Sequence, residues 1–244
     1  MTPLTLAIMC LLTLIAFTIR VVTGFGSAIF LSPIFSNILP PKEAVVLLIL
    51  LESLVNIIFV FREKLNFSIR EIYFGGFAGV AAGIFLFGIA SQEIVGLLIG
   101  LGMGILASLM LFGVSFRVRR AKPMFLTLGF VSGIMGVLTG VNGPQIVIGL
   151  ANQGYNGAFI RSFMITYLVV IDTVTLSAFV AFGHVSYGVL TKLVFLAPFV
   201  AAAYFTGRKI LGRLDGESLK RIMLGVVIVL SAILVVRYGG GLFG

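Results

Sequence analysis

"MGVLTGVNGPQIVIGL", residues 135–150, places a glycine–asparagine–glycine–proline run inside a long apolar stretch. "RVVTGFGSAIFLSP", residues 20–33, interrupts another apolar stretch with a related Thr-Gly run. Helix breaks at membrane depth leave backbone N–H and C=O groups that lipid cannot satisfy. Such backbone is tolerated only where it is buried in protein or lines a cavity. The two stretches therefore decide between a plain bundle of spanning helices and one built around interrupted helices.

Composition supplies the membrane. Of 244 residues, 60% are hydrophobic and only 10% are charged, with a mean hydropathy of +1.22. A soluble domain keeps about a quarter of its residues charged. Apolar segments recur at 4–20, 44–61, 72–90, 94–116, 124–138, 158–182, 187–206 and 221–237, with shorter pieces at 25–38 and 143–152. This pattern excludes a soluble domain on a single anchor and predicts an all-α polytopic membrane protein with seven to eight spans. Residues 1–20 lack a basic leader and a clear cleavage site, and are read as part of the mature protein. The one cysteine, Cys10, excludes a disulfide framework, a cysteine-rich zinc site and a CxxC redox pair. A net charge of +9 would suggest nucleic acid in a soluble protein. Here the basic residues fall in short loops between apolar runs, as cytoplasmic loops do, and no nucleic-acid partner is expected.

The chain repeats itself. Thr23-Gly24 aligns with Thr139-Gly140 at an offset of 116, Glu52-Ser53 with Asp172-Thr173 at 120, and Gly83 and Glu93 with Gly207 and Glu217 at 124. The halves fall at 1–122 and 123–244, together one transporter domain. Their basic loops swap: Arg62, Lys64 and Arg70 follow the 44–61 segment, whereas its counterpart in the second half is followed only by His184. Arg208, Lys209, Arg213, Lys220 and Arg221 lie one loop later, where the first half has none. By the positive-inside rule, equivalent loops lie on opposite sides, which predicts inverted repeats. Inversion needs an odd number of crossings per half. A re-entrant hairpin turning at each break, followed by three spans, satisfies this. Segment 143–152 covers roughly 15 Å, half the hydrocarbon core, and suits such a hairpin. Segment 4–20 covers about 25 Å and nearly crosses unaided. In this topology the basic clusters 62–70, 117–122 and 208–221 all fall on the inner side. The segment from 221 opens behind Asp215 to Ser218, residues suited to a helix N-terminus.

Broken helices at the midplane aim half-helix N-termini, with free N–H groups and positive dipole ends, at anions. The substrate-binding candidates are Thr23, Gly24, Gly26 and Ser27 from one break and Thr139, Gly140, Asn142, Gly143 and Pro144 from the other. Glycine admits close backbone approach, Pro144 suits a first helical turn, and Asn142 and Gln145 add amide donors. Small residues also serve tight helix crossings. Two related breaks, each with hydroxyl or amide neighbours, favour a site.

The glycine-rich break in each half, "PPKEAV" at 40–45 opening the next helix, and a basic central loop resemble the TauE/SafE-type sulfite exporter family. The resemblance covers nearly the whole chain. The family's glycine run is here Gly24-Phe25-Gly26-Ser27 and Gly140-Val141-Asn142-Gly143. The resemblance implies a secondary carrier in a bacterial-type inner membrane for small sulfur-containing anions such as sulfite or organosulfonates. A carrier of a carboxylate or uncharged sulfur compound, and a passive channel, are the alternatives. The partners expected are that small anion and the lipid bilayer, with a homo-oligomer compatible.

Glu52 and Asp172 stand well inside apolar helices, each followed by a hydroxyl residue. A charged acid there costs roughly 2.5–3.5 kcal/mol on insertion scales, so it is protonated or faces a cavity. The functional reading is proton coupling, and the alternative is a structural hydrogen bond. Asn56 follows Glu52 by one turn on the same face, and no amide stands in that place after Asp172. Arg20 precedes the first break. It balances an anion's charge if the hairpin is re-entrant, and marks a helix end if the chain spans eight times. Lys42 and Arg161 read as interfacial anchors, with a gate as the other reading. His184 reads as a solvated loop residue. No HExxH, GxSxG or phosphate-binding loop occurs, so no enzyme, catalytic residue, metal or cofactor is expected.

Overall fold

The computed structural model describes residues 2–113, 121–210 and 216–243. Arg117 of the central basic cluster, Arg213 and Asp215 lie outside them, as do the side chains of Glu217, Ser218, Lys220 and Arg221. The described residues form ten helices: α1 (Pro3–Thr23), α2 (Ser27–Ile38), α3 (Pro41–Arg62), α4 (Arg70–Ile89), α5 (Gln92–Leu111), α6 (Ala121–Thr139), α7 (Pro144–Asn152), α8 (Gly157–Ala181), α9 (Tyr187–Ile210) and α10 (Gly216–Phe243). Every apolar segment of the sequence is one of these helices. Their starts are written in local chemistry. Thr2, Ser91 and Asn156 each accept a first-turn N–H of α1, α5 and α8, and Pro3, Pro41 and Pro144 occupy first helical positions. Helix α5 stops at Leu111, earlier than its apolar run predicts, and Gly113 takes φ 62° just beyond.

Among the described residues, seven helices are long and apolar enough to cross a membrane: α1, α3, α4, α5, α8, α9 and α6 from Lys122 onward. The chain is a multi-pass membrane protein. Helices α2 and α7, with 12 and 9 residues, are about 18 and 14 Å long and too short to cross. Helices α3 and α8 are central. Their apolar windows are 67% and 56% buried, against 28% for α9. Exposed Phe61, Phe85, Phe205 and Val236 coat the outside of the bundle.

Apolar burial gives helices no reason to associate in lipid, so close packing must do it. Helix α4 runs parallel to α6, and glycines let their backbones touch. A side chain at Gly75, Gly79 or Gly83 would meet Leu126, Phe130 or Val137 in turn, and one at Gly129 would meet the Ile72 carbonyl. Helix α1 runs parallel to α9, with Cys10 beside Phe195 and Thr18 and Val21 against Gly207. Helices α3 and α8 are antiparallel, pairing Asn56 with Leu168 and Asp172, and Glu63 with Arg161. Helices α5 and α10 are antiparallel as well, with Gly96 on Tyr238 and Gly104 on Ser231. The Gly83 and Gly207 contacts match. A Cβ at Gly83 would lie 2.9 Å from the Val137 Cβ, and one at Gly207 would lie 2.7 Å from the Val21 Cβ.

Candidate functional site

The two breaks share one local geometry. Gly24 and Gly140 take φ 86° and 74°, a left-handed conformation that a residue with a Cβ rarely adopts. Gly24 N–H donates to the Arg20 carbonyl at 2.7 Å, and Gly140 N–H to the Gly136 carbonyl at 2.9 Å. Each preceding threonine completes the cap. Thr23 Oγ1 donates to the Ile19 carbonyl and accepts from Phe25 N–H at 3.4 Å. Thr139 Oγ1 donates to the Met135 carbonyl and accepts from Val141 N–H at 3.3 Å. The threonine hydroxyls thus hold the broken backbone.

Beyond each break a half-helix begins without a side-chain cap, α2 behind Gly26 at φ 106° and α7 behind Gly143. A cleft joins the two starts, lined by Arg20, Phe25, Gly26, Ser27, Asn142 and Pro144 among others. Its free room is about 10 Å³, enough for one water at most. The described conformation is closed, and an oxyanion fits only if the breaks separate.

A buried polar cluster adjoins the cleft. Arg20, 2% exposed, forms an ion pair with Glu52, and its Nη2 donates to Asn56 Oδ1 at 2.6 Å. The same Nη2 stands 3.7 Å from Asp172 Oδ2. Ser27 Oγ donates to Glu52 Oε1 at 2.5 Å. Asp172 accepts from Asn56 Nδ2 at 2.8 Å and from Asn142 Nδ2 at 2.6 Å. One guanidinium therefore bridges two carboxylates, and the amides and hydroxyl satisfy the remaining oxygens. Arg20 Nε is left without a partner, while every carboxylate oxygen is paired with a donor or the guanidinium.

Arg20, Ser27, Asn142, Glu52 and Asp172 are thus brought together, with Gly26, Gly143 and Pro144 beside them. Arg20, in the last turn of α1, is buried between the two acids. Gln145 is 7% exposed, and neither its Oε1 nor its Nε2 has a partner. Gly143 departs from the expectation of close backbone approach. A Cβ there meets Met164 and Phe25 only at 3.4 and 3.5 Å, ordinary contact distances. At Gly24 a Cβ would lie 2.9 Å from the Arg161 carbonyl oxygen. Asp172, which has no amide one turn after it as Glu52 has Asn56, gains two amide partners from elsewhere, Asn56 on α3 and Asn142 in the second break.

Sequence reasoning missed Ser132 and Tyr167. Ser132 Oγ donates to the Asn142 carbonyl, and Tyr167 Oη bonds Ser132 Oγ at 2.8 Å, so both fix the second break from behind. Both are buried hydroxyls inside apolar helices, and that was the available signal. His184 sits in the loop after α8, edge-on to Phe87 and Phe179, rather than free in solvent. Partial burial, and then the charge of Lys42, lower its pKa below the usual imidazole value. Lys42 lies over the Phe87 ring at 5.1 Å. No cluster of three metal-ligating side chains occurs among the described residues.

Residues 9–234 match the family described as Sulfite exporter TauE/SafE, and the chain belongs to that family. Its members are secondary transporters, not enzymes. No curated protein and no solved structure matches the chain.

Proposed function

From membership of this family, we propose that the chain carries a small sulfur-containing anion, of the sulfite or organosulfonate class, across the cell inner membrane. Transport proceeds by alternating access at the cleft between the two breaks and is coupled to proton movement. The observation that carries this reading is the convergence of both broken helices on one buried guanidinium. Two uncapped half-helix starts and Arg20 supply positive potential at the point where an anion would sit. With both acids ionised, Arg20, Glu52 and Asp172 carry one negative charge in excess. An anion entering that cluster is favoured only if a proton enters too.

Helix directions support an inverted repeat with re-entrant hairpins. Helix α9 returns antiparallel to α8 through a short loop, and α3 is antiparallel to α8, so α3 and α9 run the same way. Helix α1, parallel to α9, then runs the same way as α3. A chain that passes down α1 and down α3 must return between them, and α2 is the only helix there. The same steps make α6 parallel to α8, with α7 returning. Each helix of 1–122 then opposes its counterpart in 123–244.

Two measurements test this. Purified protein in proteoliposomes is expected to accumulate sulfite or an organosulfonate, but not a carboxylate or an uncharged sulfur compound, under an imposed pH gradient. Uptake of the carboxylate alone would move the substrate class, and flux indifferent to the gradient would favour a channel. Single cysteines replacing Ser68, Gln92 and Tyr187 in a Cys10→Ala background test the repeat. Ser68→Cys is expected to label from the cytoplasm and the other two from outside. Labelling of Ser68→Cys and Tyr187→Cys from one side would end the inverted-repeat reading.

A further inference from the structure

We infer that Arg161 is a positioning residue that latches the first break, and that its release opens the cleft toward the end of α3 that bears Glu63. This rests on the reading of the cleft as the transport site. Read as an interfacial anchor, Arg161 would point its guanidinium at lipid headgroups. Instead it turns inward. Its Nε donates to the Val22 carbonyl at 3.2 Å and its Nη2 to the Val21 carbonyl at 3.1 Å. Those carbonyls belong to the last turn of α1, which no further helical turn satisfies because the chain breaks at Gly24. The same guanidinium pairs with Glu63, 3.2 Å from Nη2 to Oε1 and 3.5 Å from Nη1 to Oε2. One planar fork therefore ties three elements together: the end of α1, the end of α3 and the start of α8. A lysine ammonium cannot reproduce that shape.

The backbone completes the latch. Gly24 lies so close to Arg161 that an added Cβ would stand 2.9 Å from the Arg161 carbonyl oxygen and 3.0 Å from its Cγ. The second break supplies the comparison. Gly140 faces Val45 and Leu48, with the Val45 Cα 3.8 Å from an added Cβ. Val45 stands to Gly140 as Arg161 stands to Gly24, at the same offset of 116 that relates the two Thr-Gly pairs. Val45 and Leu48 are both 0% exposed, and so is Ser32, whose hydroxyl donates to the Thr139 carbonyl at 2.6 Å, so the second break is closed by apolar packing and neutral hydrogen bonds out of reach of water. Arg161 and Glu63 are 23% and 26% exposed. Water reaches this ion pair, and a charge-assisted latch that water reaches can exchange its partners for solvent. Fully buried packing and buried hydroxyl bonds offer no such exchange. The two breaks are thus closed by different chemistry, and the first is the one built to open.

The test reads access without substrate. Phe25, which lines the cleft, is replaced by cysteine in a Cys10→Ala background, and modification by a membrane-impermeant maleimide is timed from each side of oriented vesicles. Arg161→Gln is expected to raise the rate from the Glu63 side at least about tenfold, the loss of bonds made by a charged donor. The rate from the opposite side should not rise. Arg161→Lys should fall between wild type and Arg161→Gln. Glu63→Gln keeps the carbonyl bonds and should give a smaller increase on the same side; it also serves if Arg161→Gln fails to reach the membrane. An unchanged rate in both variants, or an equal rise from both sides, overturns the latch. A transport assay that fails with every sulfur anion overturns the substrate reading and leaves the labelling result standing.

Discussion

Arg20→Gln is expected to abolish uptake and to lower the stability of the detergent-solubilised protein by about 3–5 kcal/mol, the usual cost of leaving a buried charge without its partner. Arg20 is 2% exposed and, among the described residues, is the one cation paired with both Glu52 and Asp172. Removing it does not remove two charges equally. Asp172 keeps Asn56 and Asn142 as donors, whereas Glu52 keeps only the Ser27 hydroxyl. The instability should therefore come mainly from Glu52. Arg20→Gln/Glu52→Gln should regain most of the lost stability, and Arg20→Gln/Asp172→Asn much less. Neither double variant should regain transport, because both lack the cation that faces the cleft. Thermal unfolding and uptake, measured on the same preparations, separate these effects. Equal rescue by the two double variants would show that the acids share Arg20 evenly, contrary to the bonding pattern.

Much of this was legible before any coordinates. The helices follow apolar segments, and both breaks fall at Thr-Gly, because hydropathy and left-handed glycine are local properties. Gly83 and Gly207, aligned in the sequence, make the same contact with Val137 and Val21. Asp172 was harder. Its amide partners come from α3 and from the second break, and no spacing along α8 announces them. The alignment of Glu52 with Asp172 also describes only part of the site. Asn56 stands at the offset of 116 from Asp172, and these two residues touch across the α3–α8 crossing. Arg161 was legible only as an interfacial anchor or a gate, for a related reason. A cation near a helix start looks the same in sequence whether it meets headgroups or the carbonyl end of another helix. The tertiary approach of α1 alone decides it.

The sharpest expected result concerns which acid carries the proton. When an anion occupies Arg20, a carboxylate must give up its hold on the guanidinium. Asp172 has two amide donors that do not depend on Arg20, so it can stay ionised. Glu52 has one hydroxyl, Ser27, which lies on the opening turn of α2 and moves with the break. Losing Arg20, it faces its surroundings as a nearly bare charge, and a proton is the remaining way to satisfy it. Glu52→Gln fixes the protonated form with little change in volume. This variant should still bind and exchange substrate, yet accumulate none of it against a gradient. For a carrier coupled to one proton, each pH unit drives about tenfold accumulation, so the accumulation ratio should fall from about ten to about one. Asp172→Asn should weaken binding and keep a pH-dependent ratio above one, because Glu52 can still titrate. Uptake measured at equal and unequal pH on the two sides distinguishes the cases. Normal accumulation by both variants would make the acids structural and place coupling elsewhere. A loss in Asp172→Asn alone would reverse the assignment, and with it the argument that amide donors free Asp172 from the proton.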